Sequence, residues 1–157
     1  MERRRKQKSD RAPKNPCPRI TVYNRQTSLP IKTASVRRLV HFVVRQKKIA
    51  CAHISIHFVG TRKIAEIHGE FFNDPTPTDC MTFPIDKHFL GECVICPKIA
   101  LERSPKKPYE ETSHYLIHCL LHLIGYDDID KKKQAVMRKE EHRLLALARK
   151  SGCLLEA

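Results

Sequence analysis

Apolar and polar residues alternate through Arg19–Asn24 and again through 52–59, the two-residue period of half-buried strands. Between them the period changes. Val36, Leu39, Val40, Val43 and Val44 recur at three- and four-residue steps across 33–48, which predicts an amphipathic helix. The same spacing returns at Ile64, Ile67 and Phe71 within Thr61–Phe72. Pro75 and Pro77 then bar regular pairing and mark a turn over 74–79. Short strands at Cys80–Pro84 and 91–96 follow, joined by a loop that carries Asp86, Lys87 and His88, and Pro97 opens a short helix to Leu101. After a lysine- and proline-rich loop, Glu110 and Glu111 complement the dipole of a helix N-terminus. That helix is apolar nearly all round, and a last amphipathic, charged helix occupies 130–148. With no internal repeat and no second boundary, the expected architecture is a single α+β domain over 19–157. It has a small mixed sheet of about four strands packed with helices.

Charge extends this picture. Thirty Lys and Arg against 17 Asp and Glu give +13 over 157 residues. Residues 1–18 contribute +5 of this and read as a disordered basic arm with prolines at 13, 16 and 18. The remaining +8 lies in the body, so a polyanion, nucleic acid foremost, is the expected partner. No apolar run approaches a membrane span. Polar, proline-rich residues stand at 9–18, where an export signal would need its apolar segment, so a cytoplasmic protein is expected. The odd number of cysteines, seven, most of them inside apolar segments, reads as reduced and buried thiols. Cys93 and Cys96 form a lone C-x-x-C, and along a strand their side chains face opposite ways, which argues against a zinc pair.

The chemistry concentrates at His118-Cys119-Leu120-Leu121-His122-Leu123-Ile124-Gly125-Tyr126-Asp127-Asp128. Residues four apart on a helix lie roughly 5–6 Å apart at Cβ, so His118 and His122 can offer two imidazoles to one ion. Gly125 suits a left-handed turn after the helix, and Asp128 then returns as a third ligand. Two nitrogens and a carboxylate leave a fourth position open, as catalytic zinc sites do. A lone histidine on an apolar helix is more often a core residue than a ligand. Here His114, His118 and His122 form a stripe at four-residue steps, and burying several unpaired imidazoles is costly. His114, one turn before the first ligand, is the expected catalytic group for orientation or proton transfer, and Asp127 is expected to hold a ligand imidazole from behind. The spacing is also that of zincin proteases, H-E-x-x-H-x-x-G-x-x-(H/D), but Cys119 stands where their general-base glutamate belongs. A peptidase would need that base from elsewhere.

Three ordered segments give the chain a family resemblance over roughly residues 19–150. His118, Leu121, His122, Leu123, Gly125, Tyr126 and Asp127 match a signature near H-G-x-L-H-L-x-G-Y-D-H. Residues 66–84 match a second segment through Pro77, Thr78, Asp79, Phe83 and Pro84, and 91–97 follow a G-[DE]-I-V-I-x-P pattern. On these residues the chain resembles the YbeY family of bacterial metal-dependent endoribonucleases, the rRNA maturation factors. The resemblance implies a zincin-like metal helix with one Zn2+ per chain on His118, His122 and Asp128. It also implies cleavage of single-stranded RNA in 16S rRNA 3′ end processing and ribosome quality control. The implied partners are rRNA and the small ribosomal subunit, with neither DNA nor membrane. Two of the departures from the pattern bear on the site: Asp128 replaces the third histidine, and Phe72 stands where the family has an arginine. Whatever that arginine does is not carried over to Phe72. A ribosome- or RNA-binding factor with a structural metal, and a zincin-like metallopeptidase, are the alternative readings.

Overall fold

A four-stranded mixed sheet in the order β1-β2-β4-β3 organises the computed structural model, which describes residues 17–157. Residues 1–16, most of the expected basic arm, lie outside the described residues. The strands are β1 (Arg19–Asn24), β2 (His53–Phe58), β3 (Cys80–Pro84) and β4 (Gly91–Ile95). The helices are α1 (Thr33–Lys47), α2 (Thr61–Phe72), α3 (Pro97–Arg103), α4 (Pro108–Leu123) and α5 (Lys131–Lys150). Each element expected from periodicity is present, with ends shifted by a few residues. α3 runs two residues past Leu101, and α4 opens at Pro108, whose fixed φ suits a first helical position.

β1, β2 and β4 run parallel, and β3 pairs antiparallel with β4 at the edge. The strand period of two assigns each side chain to one of two faces. Ile54, Ile56 and Phe58 of β2, with Cys93 and Ile95 of β4, join the main core with α1, α4 and α5. On the opposite face, Val94 and Cys96 pack with Met81 and with Ile64 of α2 in a smaller cluster. Cys93 and Cys96 therefore lie in separate clusters, as their strand spacing predicts, and all seven cysteines are free thiols.

α4 is the buried centre of the molecule. Leu116, Ile117, Cys119, Leu120 and Leu121 are fully buried, because α4 packs against β3 and β4 on one side and against α3, α1 and α5 on the others. A helix enclosed on so many sides has to be hydrophobic all round. Gly91 allows its end to approach the sheet. A Cβ there would lie 2.5 Å from the Phe83 carbonyl oxygen and 2.7 Å from Leu123 Cδ2, so only glycine fits between β3 and α4. Among the described residues, no helix is long and apolar enough to cross a membrane.

Candidate metal centre

Two backbone hydrogen bonds form the turn after α4. Gly125 N–H donates to the His122 carbonyl at 3.0 Å, and Tyr126 N–H donates to that of Leu121 at 3.0 Å. Gly125 sits at φ 100, in the region that favours glycine. This is a Schellman closure, and it fixes where the next carbonyl points. The Tyr126 carbonyl accepts the Nδ1–H of His122 at 3.0 Å. The turn that ends the helix thus orients the imidazole one turn back.

His118 is held differently. Its Nδ1–H donates to Oε1 of Glu141 at 2.5 Å, and the other oxygen of that carboxylate accepts from His114 Nε2 at 2.9 Å. Glu141 comes from α5 and is 4% exposed, so it can remain ionised only because both imidazoles donate to it. Burial alone would raise its carboxyl, but the hydrogen bonds from His114 and His118 reverse that and bring it to about 2. The same contact raises His114.

These partners decide the tautomers. A carbonyl and a carboxylate can only accept, so both Nδ1 atoms carry hydrogen, and in the neutral rings both Nε2 atoms keep a lone pair. Those two Nε2 atoms face each other at 3.1 Å, and Asp128 Oδ1 lies 3.8 Å from His122 Nε2. Two lone pairs that close repel unless a cation or proton lies between them. The donor set and its orientation therefore fit a divalent metal. Among the described residues, His118, His122 and Asp128 are the group whose ligand atoms all lie within 4.8 Å of one another, suited to an ion.

A cleft of about 300 Å³ opens beside the two imidazoles, lined also by His68, Phe72, Thr78 and Thr82. His114 is not among its lining residues; it shares Glu141 behind His118. Asp127 does not reach an imidazole. Its Oδ1 accepts from Ile129 N–H at 2.9 Å and its Oδ2 faces Lys133 Nζ at 3.6 Å, while Glu141 and the Tyr126 carbonyl hold the two rings. Two residues of the site had no signal in the sequence. Glu141 is one of several acidic residues on a charged helix. His68 falls outside the histidine stripe, and its Nδ1–H donates to the Thr76 carbonyl at 2.9 Å, leaving Nε2 without a partner among the described residues.

Comparison with known proteins decides the family. The model of the endoribonuclease YbeY family matches residues 21–149. The chain belongs to this family. Endoribonuclease YbeY of Protochlamydia amoebophila is 39% identical over 133 residues, covering 79% of this chain and 89% of that protein. That of Chlamydia pneumoniae is 39% identical over 152 residues, covering 88% and 96%. The solution structure of a Thermotoga maritima protein shares the fold, with a TM-score of 0.60 at 24% identity over 81% of this chain and 87% of its own. The departures at 128 and 72 both fall at the site. Asp128 completes the ligand group, and Phe72 lines the cleft beside His68, with their rings 5.5 Å apart.

Proposed function

We propose that this chain is a zinc-dependent endoribonuclease that cuts single-stranded RNA. Its setting is maturation of the 16S rRNA 3′ end and ribosome quality control in the cytoplasm, with rRNA and the small ribosomal subunit as partners. The observation that carries the chemistry is the pair of opposed Nε2 lone pairs, 3.1 Å apart, with Asp128 beside them. The name shared by its relatives, endoribonuclease, supports RNA as the substrate. The net charge of +13 supports an anionic one.

His118, His122 and Asp128 would hold a divalent ion, which would supply Lewis acidity and charge stabilisation for a phosphodiester transition state. Glu141 and the Tyr126 carbonyl keep the two imidazoles in register for it. His68 is the imidazole of the cleft outside the ligand set. With Nδ1–H held by Thr76, its Nε2 is placed to take up or return a proton. Thr82 lines the same wall with a hydroxyl that can donate to a phosphate oxygen, whereas the Thr78 hydroxyl donates to Asp79 Oδ1 at 3.3 Å. Among the described residues the peptidase alternative finds no base, because none of those lining the cleft is a carboxylate and Glu141 stands behind His118 with both oxygens engaged.

The test pairs metal content by mass spectrometry with cleavage of a labelled single-stranded RNA, for the wild type and His122→Ala. The expected result is about one zinc per chain in the wild type, and loss of both zinc and cleavage in the variant. Unchanged zinc in His122→Ala would overturn the ligand assignment. Zinc with RNA binding but no cleavage would favour the binding factor, the reading that Phe72 in the arginine position supports.

A further inference from the structure

The sheet face away from α4 carries a groove of about 610 Å³ between the β1 end of the sheet and α2. Two aromatic pairs stand in it. Tyr23 stacks on His57 with ring centroids 4.7 Å apart and an angle of 18°, and Phe71 meets Phe83 at 4.9 Å. A hydrophobic cluster serving only stability would bury these rings, yet Tyr23 is 42% and Phe71 61% exposed. Polar groups are built in among them. Glu92 points from β4 into the groove with its Oε1 3.5 Å from His57 Nε2, a nitrogen shielded from solvent and without a hydrogen-bond partner among the described residues. Arg25 and Lys63 also line the groove. Arg25 reaches over Tyr23 at 5.9 Å from the ring centroid. Lys63 meets Glu66 at 3.3 Å in an exposed pair that holds it weakly.

Exposed aromatic faces beside cations are the chemistry that binds unpaired nucleobases, with rings stacking on bases and cations meeting the backbone. A second copy of this chain would bring another +13 to the same surface, whereas an RNA strand brings opposite charge. The groove also adjoins the metal cleft through consecutive residues. On edge strand β3, Thr82 lines the cleft and Phe83 the groove; at the end of α2, Phe72 lines the cleft and Phe71 the groove. A strand crossing the β3 edge passes from one to the other.

We propose that the groove is a base-binding subsite for the RNA strand whose phosphodiester lies at the metal centre, an inference that rests on the ribonuclease reading above. Phe71 and Tyr23 stack on the base. Glu92 accepts a hydrogen bond from an exocyclic amino group, the contact a carboxylate makes with cytosine N4. Arg25 and Lys63 meet the neighbouring phosphates.

The experiment titrates the zinc-loaded full chain with fluorescently labelled short oligocytidylate, oligouridylate and a paired RNA duplex at one salt concentration. Phe71→Ala and Tyr23→Ala should each weaken oligocytidylate binding roughly 5- to 100-fold, the range for losing one base stack, with zinc content unchanged. Tyr23→Phe should restore binding, and duplex binding should stay within about twofold, since paired bases have no free face to offer. Glu92→Gln should narrow the preference for oligocytidylate over oligouridylate, which has no exocyclic amino group. Because Phe71 and Tyr23 are exposed, their truncation leaves the core in place. Wild-type affinity in both alanine variants, or equal weakening for duplex and single strand, would overturn the subsite. In either case, RNA cleavage by the wild-type protein would leave the nuclease reading standing. Unchanged RNA affinity with lost binding to a small-subunit protein would reassign the groove to a protein partner and overturn the proposal.

Discussion

Replacing Glu141 by glutamine tests the metal centre at its most buried point while nearly preserving shape. The carboxylate accepts from His118 at 2.5 Å and from His114 at 2.9 Å. An amide has one accepting oxygen, so one imidazole must face an NH2 group. If that ring is His118, it has to carry its hydrogen on Nε2 to make a bond, and the nitrogen that faces the ion is lost. Removing the partner behind a ligand histidine costs about 10- to 100-fold in metal affinity, or about 1.4–2.7 kcal/mol. The effect on stability is smaller. A hydrogen bond to a charged group contributes about 1.5–3 kcal/mol, but the amide is also freed of the desolvation penalty of the buried carboxylate, leaving a net loss on the order of 1–2 kcal/mol. For a chain of this size that is a melting-temperature drop of about 2–8 °C. Zinc affinity is measured by competition with a chromophoric chelator, with Asp127→Asn as the control. The control should match the wild type, because the Asp127 carboxylate bonds Ile129 N–H and faces Lys133 rather than an imidazole. Glu141→Gln holding zinc within about twofold of wild type would refute the orienting role, since loss of the partner behind a ligand histidine should cost at least about tenfold.

Gly91→Ala should destabilise the fold by about 2 kcal/mol or more, because its Cβ would lie 2.5 Å from the Phe83 carbonyl oxygen and backbone gives way less easily than a side chain. A urea midpoint equal to that of wild type would contradict the close approach. Acid stability follows from Glu140, which the Arg143 guanidinium, against a burial penalty and with help from Lys47, brings from 4.5 to about 2. A carboxyl depressed in the folded state stabilises fully above its ordinary value and loses that contribution as pH falls from 4.5 toward 2. The melting temperature should fall through this window, and less steeply in Glu140→Gln; identical profiles for the two proteins would reject the assignment.

Element order was legible because each element follows its own period without interruption. The apolar spacing of 33–48 and the alternation of 52–59 became α1 and β2 with only their ends trimmed. The ligand group was legible for the same reason, since His118, His122, Gly125 and Asp128 lie within a single helix and its turn, where spacing sets geometry. Glu141 and His68 were not. Glu141 is 23 residues from His118 in sequence, on a helix rich in charged residues, and only the packing of α5 on α4 turns it inward. His68 meets the site because α2 and β3 form one wall of the cleft, a contact no local pattern encodes. Asp127 was expected to hold a ligand imidazole, and the helix-closing turn points it toward Ile129 and Lys133 instead.

The loop that bears Asp128 is braced from three directions, so the metal centre depends on the whole core. Tyr126 is held through its backbone by Leu121, and its carbonyl in turn holds His122. Its hydroxyl accepts from Lys47 Nζ at 2.7 Å, and the same ammonium bonds Glu140 at 3.0 Å. Lys47 lies in the last turn of α1 and Glu140 on α5, so one polar network ties both helices to the residue after Gly125. Glu140 and Glu141 are neighbours on α5, one serving the brace at Tyr126 and the other the ligand His118. A shift of α5 against α4 would therefore disturb both imidazoles at once, one through Glu141 directly and one through Lys47 and Tyr126. Two neutral nitrogens and one carboxylate hold an ion only if their geometry survives thermal motion, and here that geometry is secured by the helix packing that buries the main core.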